Sequence, residues 1–196
     1  MPLTSTEIEM LLHGRSISAD WPWCTNDEQV IDGYIEGLVA EMCRTLRLCD
    51  RTEYGHYGAG YASFVDCWLY RPDDDFRNRT AKRFNLFRWS ASNAYCGLVV
   101  LFSRLSAYYV IGQGNRSWTK RKAAAYLPDF TFVDEINRQA VVDLVAPVQT
   151  FLLERGLQRL YRSDLDTILP GDLAVPTILA TRVFRHFDAL FHWQDW

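Results

Sequence analysis

The chain has 196 residues, which suits one domain spanning 1–196, and 48% of its residues are hydrophobic while 23% are charged. This balance excludes an intrinsically disordered chain, and no apolar run approaches the roughly 18 residues that would cross a bilayer. The net charge of −3 hides a segregated pattern: residues 1–75 carry 14 acidic and five basic side chains, whereas residues 76–125 carry ten basic and no acidic ones.

The cellular compartment can be inferred from the N-terminus and from the cysteines. Glu7 and Glu9 stand where a secretory signal would have a basic region. The five cysteines are an odd number with no paired spacing, which fits a reducing compartment. We therefore expect a cytoplasmic protein.

The strongest helix signal covers residues 26–49. Thr25 and Glu28 have the spacing of a capping box, and Asp27 and Glu28 suit the positive end of the helix dipole. The pattern predicts an amphipathic helix with one face against a core. Its apolar positions recur at steps of three and four: Ile31, Tyr34, Leu38, Met42, Leu46 and Cys49.

Strand and turn signals follow. Residues 50–60 are predicted to form a glycine-rich loop, and RPDDD at 71–75 is predicted to form a turn. The last two strands flank residues 104–106, as in a hairpin, so the core is expected to be an antiparallel sheet of about four or more strands. The strands are predicted at 61–70, 82–89, 96–103 and 107–113.

From residue 132 onward, the apolar residues recur with the spacing of a helix. Pro147 either kinks one helix or opens a second, and Gly156 ends it. Residues 157–161 are predicted to form a short edge strand, and residues 183–191 an amphipathic helix. The predicted fold class is therefore α+β, with an antiparallel sheet packed against an N-terminal helix and C-terminal helices.

The sequence contains no recognisable catalytic or metal site. GHYGAG at 55–60 precedes a strand and lacks the Lys-Ser or Lys-Thr pair of a phosphate loop. No lysine has an acidic residue two positions before it, so the core motif of restriction-type nucleases is missing. We expect no enzymatic activity, no metal and no cofactor. No zinc-type spacing links the four histidines, which are His13, His56, His186 and His192.

The basic segment at 76–125 leaves a nucleic-acid-binding alternative open. Its cations alternate with aromatic residues such as Phe84, Phe87 and Trp89, as they do in proteins that bind single strands. No RNA-recognition motif accompanies them, and the sequence pI is about 5.8. The acidic and basic segments could equally neutralise each other within the fold.

The second half of the chain resembles a known family. It contains YYVIG at 108–112 with Trp118 after it, LERG at 153–156 and FDALFHWQD at 187–195. Over residues 60–196 these segments look like the immunity protein 52 family of bacterial polymorphic-toxin systems. The resemblance implies a cytoplasmic antitoxin that binds a restriction-endonuclease-like DNase toxin, often one delivered by a type VI secretion system. The resemblance implies no catalytic residues in this chain.

An acidic surface would suit such a partner, because a nuclease presents a positively charged DNA cleft. The acidic residues concentrate in residues 1–75, and tyrosines there are candidate interface anchors. The alternative for the acidic run at 73–75 is a plain solvated turn. The predicted toxin contacts are Glu53, Tyr54, Tyr57, Tyr61, Asp66, Asp73, Asp74 and Asp75.

Overall fold

A β-sheet forms the centre of the fold. The computed structural model describes residues 3–58, 60–77, 93–118, 123–124, 128–177 and 183–194. The strands are β1 (Cys49–Glu53), β2 (Tyr61–Ala62), β3 (Phe64–Tyr70), β4 (Asn93–Ser103), β5 (Tyr108–Trp118), β6 (Ala123–Ala124), β7 (Gln158–Arg159) and β8 (Trp193–Gln194). The helices are α1 (Ser5–Leu12), α2 (Glu28–Leu46), α3 (Gln139–Leu153), α4 (Arg162–Leu165) and α5 (His186–Leu190).

The main sheet has the strand order β1-β3-β4-β5-β6, and each strand is antiparallel to its neighbour. β7 joins the outer edge of β5 in parallel, and β2 pairs with β8 in a separate two-stranded ribbon. α2 contacts β1 and β3, while α3 contacts β4 and β7. The predicted α+β class is confirmed, with its antiparallel sheet, its N-terminal helix and its C-terminal helices.

The β4–β5 hairpin confirms the strands predicted at 96–103 and 107–113. Val100 lies opposite Ile111 in the ladder, and both side chains are fully buried. Leu98 and Leu101 are buried as well, although adjacent positions of a strand alternate between the two faces of the sheet. Nearly continuous apolar sequence is therefore required in this strand, because both faces of the sheet are covered.

β1 occupies residues that the sequence interpretation divided between a helix and a loop. α2 ends at Leu46, before the predicted boundary at 49, because Arg47 adopts a left-handed conformation with φ 55°. Residues 49–53 then pair with β3. Their polar character fits an edge strand, where charged side chains oppose pairing with other chains. The strand predicted at 82–89 lies outside the described residues.

The helix caps differ from the predicted ones. Asp27, not Thr25, caps α2, because its carboxylate accepts a hydrogen bond from the backbone N–H of Gln29 at 2.9 Å. A capping box is present instead at α1, between Thr4 and Glu7. The sequence interpretation overlooked that helix, although Thr-x-x-Glu was available as its signal.

The C-terminal half matches the predictions in part. α3 runs through Pro147 as one helix, and β7 confirms the edge strand expected within 157–161. α5 is shorter than the predicted 183–191, because Arg185 pairs with Ile168 in a β-bridge just before the helix begins. None of the helices in the described part of the chain is long and apolar enough to span a membrane.

Gly112 lies where β5 passes against Phe132, and it has no room for a side chain. A Cβ built there would lie 2.2 Å from Phe132 Cδ2 and 2.3 Å from the Phe132 carbonyl oxygen. We expect Gly112→Ala to lower the free energy of unfolding by about 1–3 kcal/mol through overpacking. Urea denaturation measures this change.

Gly33→Ala is the matched control for that substitution. Gly33 lies inside α2, is exposed, and has nothing within 4 Å of an added Cβ. The same chemical change should therefore raise the free energy of unfolding there by about 0.5–1 kcal/mol, because alanine favours the helix. Equal effects at the two positions would contradict the close contact with Phe132.

Candidate functional site

Three of the predicted contacts lie on the tyrosine loop, which is the name used for residues 54–58 and 60–63 between β1 and β3 and which includes the short strand β2. His56 and Tyr57 in this loop adopt left-handed conformations, with φ 52° and 59°. The carboxylate of Glu53, itself a predicted contact, accepts hydrogen bonds from the backbone N–H groups of Gly55 (2.7 Å) and Tyr57 (3.3 Å). Consecutive residues in this rarely populated region cost free energy, and such strain often accompanies function.

Arg104 fixes both ends of the tyrosine loop from the β4–β5 turn. Its side chain is 1% exposed. Nε and Nη2 donate to the Asp32 carboxylate on α2 at 2.8 and 2.7 Å. The other guanidinium N–H groups donate to the backbone carbonyls of Tyr54, Ala62 and Phe64 at 2.8–2.9 Å. All five N–H groups therefore have an oxygen acceptor, as the burial of a guanidinium requires.

His56 connects the tyrosine loop to the start of α2 and to the C-terminal ribbon. Its Nδ1 accepts a hydrogen bond from the backbone N–H of Ala62 at 3.0 Å and lies 3.2 Å from Arg104 Nη1. The proton is therefore on Nε2, which donates to Glu28 at 2.9 Å. The indole N–H of Trp193 donates to the His56 carbonyl at 3.0 Å.

Asp66 lies inside the protein and not on the toxin-binding surface where the sequence interpretation placed it. It is 2% exposed, and its Oδ2 accepts hydrogen bonds from Arg116 and from the Tyr57 hydroxyl. Burial raises the pKa of the Asp66 carboxyl, and Arg116 opposes that rise. Its Oδ1 has no partner within the described residues. Asp66 is thus an internal ion-pair residue, out of reach of a partner while the fold is intact.

The tyrosines of the loop are half-buried. Tyr54 and Tyr57 pack against the hydrophobic core. Tyr61 lies between the rings of His56 and His192, with centroid distances of 5.6 and 6.2 Å. Burial raises the pKa of Tyr61 to about 12, so its hydroxyl stays protonated at neutral pH. Each tyrosine can therefore offer only part of its side chain to a partner.

The remaining predicted contacts form the acidic turn, which comprises Asp73, Asp74 and Asp75. All three are exposed. The Asp73 carboxylate accepts hydrogen bonds from the backbone N–H groups of Asp75 (3.1 Å) and Phe76 (3.2 Å), and so it stabilises the turn. Asp74 lies 3.5 Å from Arg77. The turn therefore has a defined backbone and an acidic surface.

The structure divides the predicted contacts between two surfaces. The tyrosine loop precedes β3 and the acidic turn follows it. At about 3.3 Å per residue, the seven residues of β3 separate the two by roughly 20 Å. Asp66, which was also predicted to contact the toxin, is buried between them.

The basic segment at 76–125 contributes to the interior as well as to the surface. Arg104 and Arg116 are paired with Asp32 and Asp66, and their side chains are 1% and 12% exposed. These cations neutralise acidic residues within the fold, which was one of the two interpretations of the charge pattern. Arg77 is exposed, and the other seven basic residues lie outside the described residues.

No group of three or more His, Cys, Asp or Glu side chains that could hold a metal ion occurs within the ranges described. No protein-family model matches this chain, and neither a curated protein nor a solved structure matches it. The function must therefore be argued from the arrangement of the side chains.

The residues that organise the tyrosine loop were not among the predicted site residues. Asp32 lies in the predicted helix but outside its apolar positions, and Arg104 lies in the predicted turn at 104–106. These two residues are 72 positions apart, so no local spacing links them. The one available signal was a charged residue at the turn of an otherwise apolar hairpin.

Proposed function

We propose that this protein is an immunity protein that acts in the cytoplasm, where it binds and neutralises a bacterial nuclease toxin of the kind delivered between cells. The observation that carries the proposal is the acidic turn. Asp73, Asp74 and Asp75 are exposed together at the end of a fully buried strand, so a rigid element presents three carboxylates. A nuclease has a basic DNA-binding surface that would attract such a group.

The tyrosine loop supports the same proposal as a second contact surface. It is held by a buried arginine and a histidine, so little conformational entropy would be lost when a partner binds it. A standard interface covers about 800 Å² on each partner, which corresponds to a patch about 30 Å across. Two surfaces roughly 20 Å apart are therefore compatible with one interface.

The direct test is co-expression with a nuclease toxin encoded beside this gene. The toxin alone should kill the host cell, and co-expression of this protein should restore growth. The two chains should then co-purify in a one-to-one complex that lacks DNase activity. Failure to co-purify, together with no rescue of growth, would remove the proposal.

Charge reversal in the acidic turn should slow toxin binding. We expect Asp74→Lys with Asp75→Lys to lower the association rate about tenfold, because charges near an interface mainly steer encounter. Asp73 is left intact because it stabilises the turn. Surface plasmon resonance at low and high salt would measure the rate, and the effect should shrink at high salt.

Glu9→Lys with Asp172→Lys is the matched control for that pair. Both residues are exposed and lie outside the two surfaces, and the change in net charge is identical. An equal loss of rate in the control would show that overall charge, and not the acidic turn, governs association. Truncation of Tyr57 is a poorer test, because its hydroxyl also bonds the buried Asp66.

A further inference from the structure

A cleft of about 280 Å³ opens at the start of α2, beside the tyrosine loop. Its volume is just below the range of about 300–1,000 Å³ that is typical of small-molecule sites. It therefore has room for one long side chain. The side chains that matter for recognition are the buried apolar Ile31 and Leu105 and the polar Asn26, Glu28, Tyr61 and Gln194.

The cleft carries a net negative charge. Arg104 also lines it, but Asp32 neutralises that guanidinium through two hydrogen bonds. The Glu28 carboxylate is not neutralised: its partner His56 is uncharged, because Nδ1 accepts a hydrogen bond from the backbone and only Nε2 carries a proton. The dipole of α2 adds about half a positive charge at this end, and the two carboxylates of Asp27 and Glu28 exceed it.

Glu28 is also placed to accept a further hydrogen bond. Its side chain is 40% exposed, and Oε1 accepts a hydrogen bond from His56 Nε2. Its Oε2 has no hydrogen-bond partner in the part of the chain that the structure describes. His56 holds the carboxylate in one orientation, so a ligand would meet a preorganised acceptor.

We propose that this cleft binds one arginine side chain of a partner protein. The inference builds on the proposed function, since the partner would be a toxin with a basic DNA-binding surface. The guanidinium would donate to Glu28 Oε2 and to the side-chain oxygen of Gln194, while its methylene groups pack on Ile31 and Leu105. Arginine is favoured over lysine, because a planar fork can reach two acceptors at once.

The test is a titration of the isotope-labelled full-length protein, followed by NMR. The probe is N-acetylarginine N-methylamide, and the neutral control is the corresponding citrulline derivative, which has the same shape. We expect the arginine probe to shift the signals of Asn26, Tyr61 and Gln194, with a dissociation constant on the order of 1 mM. The citrulline probe should bind at least about tenfold more weakly, because it lacks the charge.

Glu28→Gln should weaken binding of the arginine probe at least about tenfold, since the substitution removes the charge-assisted hydrogen bond. The glutamine keeps an oxygen that can accept a hydrogen bond from His56 Nε2, so the tyrosine loop should stay in place. Glu9→Gln is the matched control, an identical change at an exposed position of α1. Equal binding by the two variants would overturn the proposal, as would equal binding of citrulline or preferential binding of N-acetylaspartate N-methylamide.

The titration needs no toxin, so the two proposals fail separately. Binding of the arginine probe without rescue of toxin-expressing cells would support the arginine site and contradict the proposed immunity function. Rescue of those cells without binding of the probe would remove the arginine site alone. Loss of rescue in Glu28→Gln, but not in Glu9→Gln, would connect the two.

Discussion

Replacing Arg104 with methionine is expected to lower the free energy of unfolding by about 3–5 kcal/mol. The substitution keeps a side chain of similar length but removes every donor of the guanidinium. Asp32 then loses its counter-ion, and three backbone carbonyls, those of Tyr54, Ala62 and Phe64, lose their hydrogen bonds. Urea denaturation would measure the loss, and amide hydrogen exchange should accelerate first in the tyrosine loop.

Arg155→Met provides the comparison. Arg155 pairs with Glu41 at 2.5 Å, but the two side chains are 27% and 43% exposed. Water competes for such a pair, so its loss should destabilise the protein much less than the loss of Arg104. If the two variants were destabilised equally, the special role of the buried Arg104 in holding the loop would be excluded.

Acidification is expected to remove about 3 kcal/mol of stability through His192. Burial lowers the pKa of His192 from 6.5 to about 4. Since the pKa in the folded state is lower than in the unfolded state, the unfolded chain takes up the proton first. The stability is therefore complete above pH 6.5, declines as the pH falls, and is lost near pH 4. Burial also lowers the pKa of His186, so His186 likewise lowers the stability of the folded state as the pH falls.

His192→Gln isolates that contribution, because glutamine does not titrate in this range. The difference in unfolding free energy between the wild type and this variant should shrink by about 3 kcal/mol between pH 7 and pH 4. Burial raises the pKa of Asp66, so the contribution of Asp66 to stability increases as the pH falls, opposite to that of His192. That contribution is common to both proteins and cancels in the difference. Parallel stability curves would show that His192 is not buried in its neutral form.

The elements that the sequence predicted are those whose signals are local. The β4–β5 hairpin follows from two β-rich runs around a short turn, and α2 follows from its apolar stripe. β1 was missed because a polar edge strand has no apolar period of its own and is defined only by pairing with β3. The ribbon of β2 and β8 joins residues more than 130 positions apart, which no local pattern reveals.

The candidate site was predicted less well, for a related physical reason. A carboxylate in a sequence is normally expected at the surface, because burying it without a partner is costly. Asp66 is an exception because Arg116, on a strand two positions away in the sheet, compensates it. The acidic turn was predicted correctly as a turn, since Pro72 and three successive aspartates favour one regardless of distant contacts.

The pairing of β2 with β8 has a consequence for timing in the cell. A ribosome that adds about 5–20 residues per second needs roughly 10 s to make the 130 or so residues between these strands. Until β8 has been synthesised, the Ser63 hydroxyl has no hydrogen bond from the His192 backbone N–H, and Ala62 has no strand to pair with. Under the proposed function, a nascent chain would therefore give no protection against a nuclease that arrives during its synthesis. The cell would have to rely on molecules completed beforehand, so the standing stock of the protein, more than its rate of induction, would determine survival.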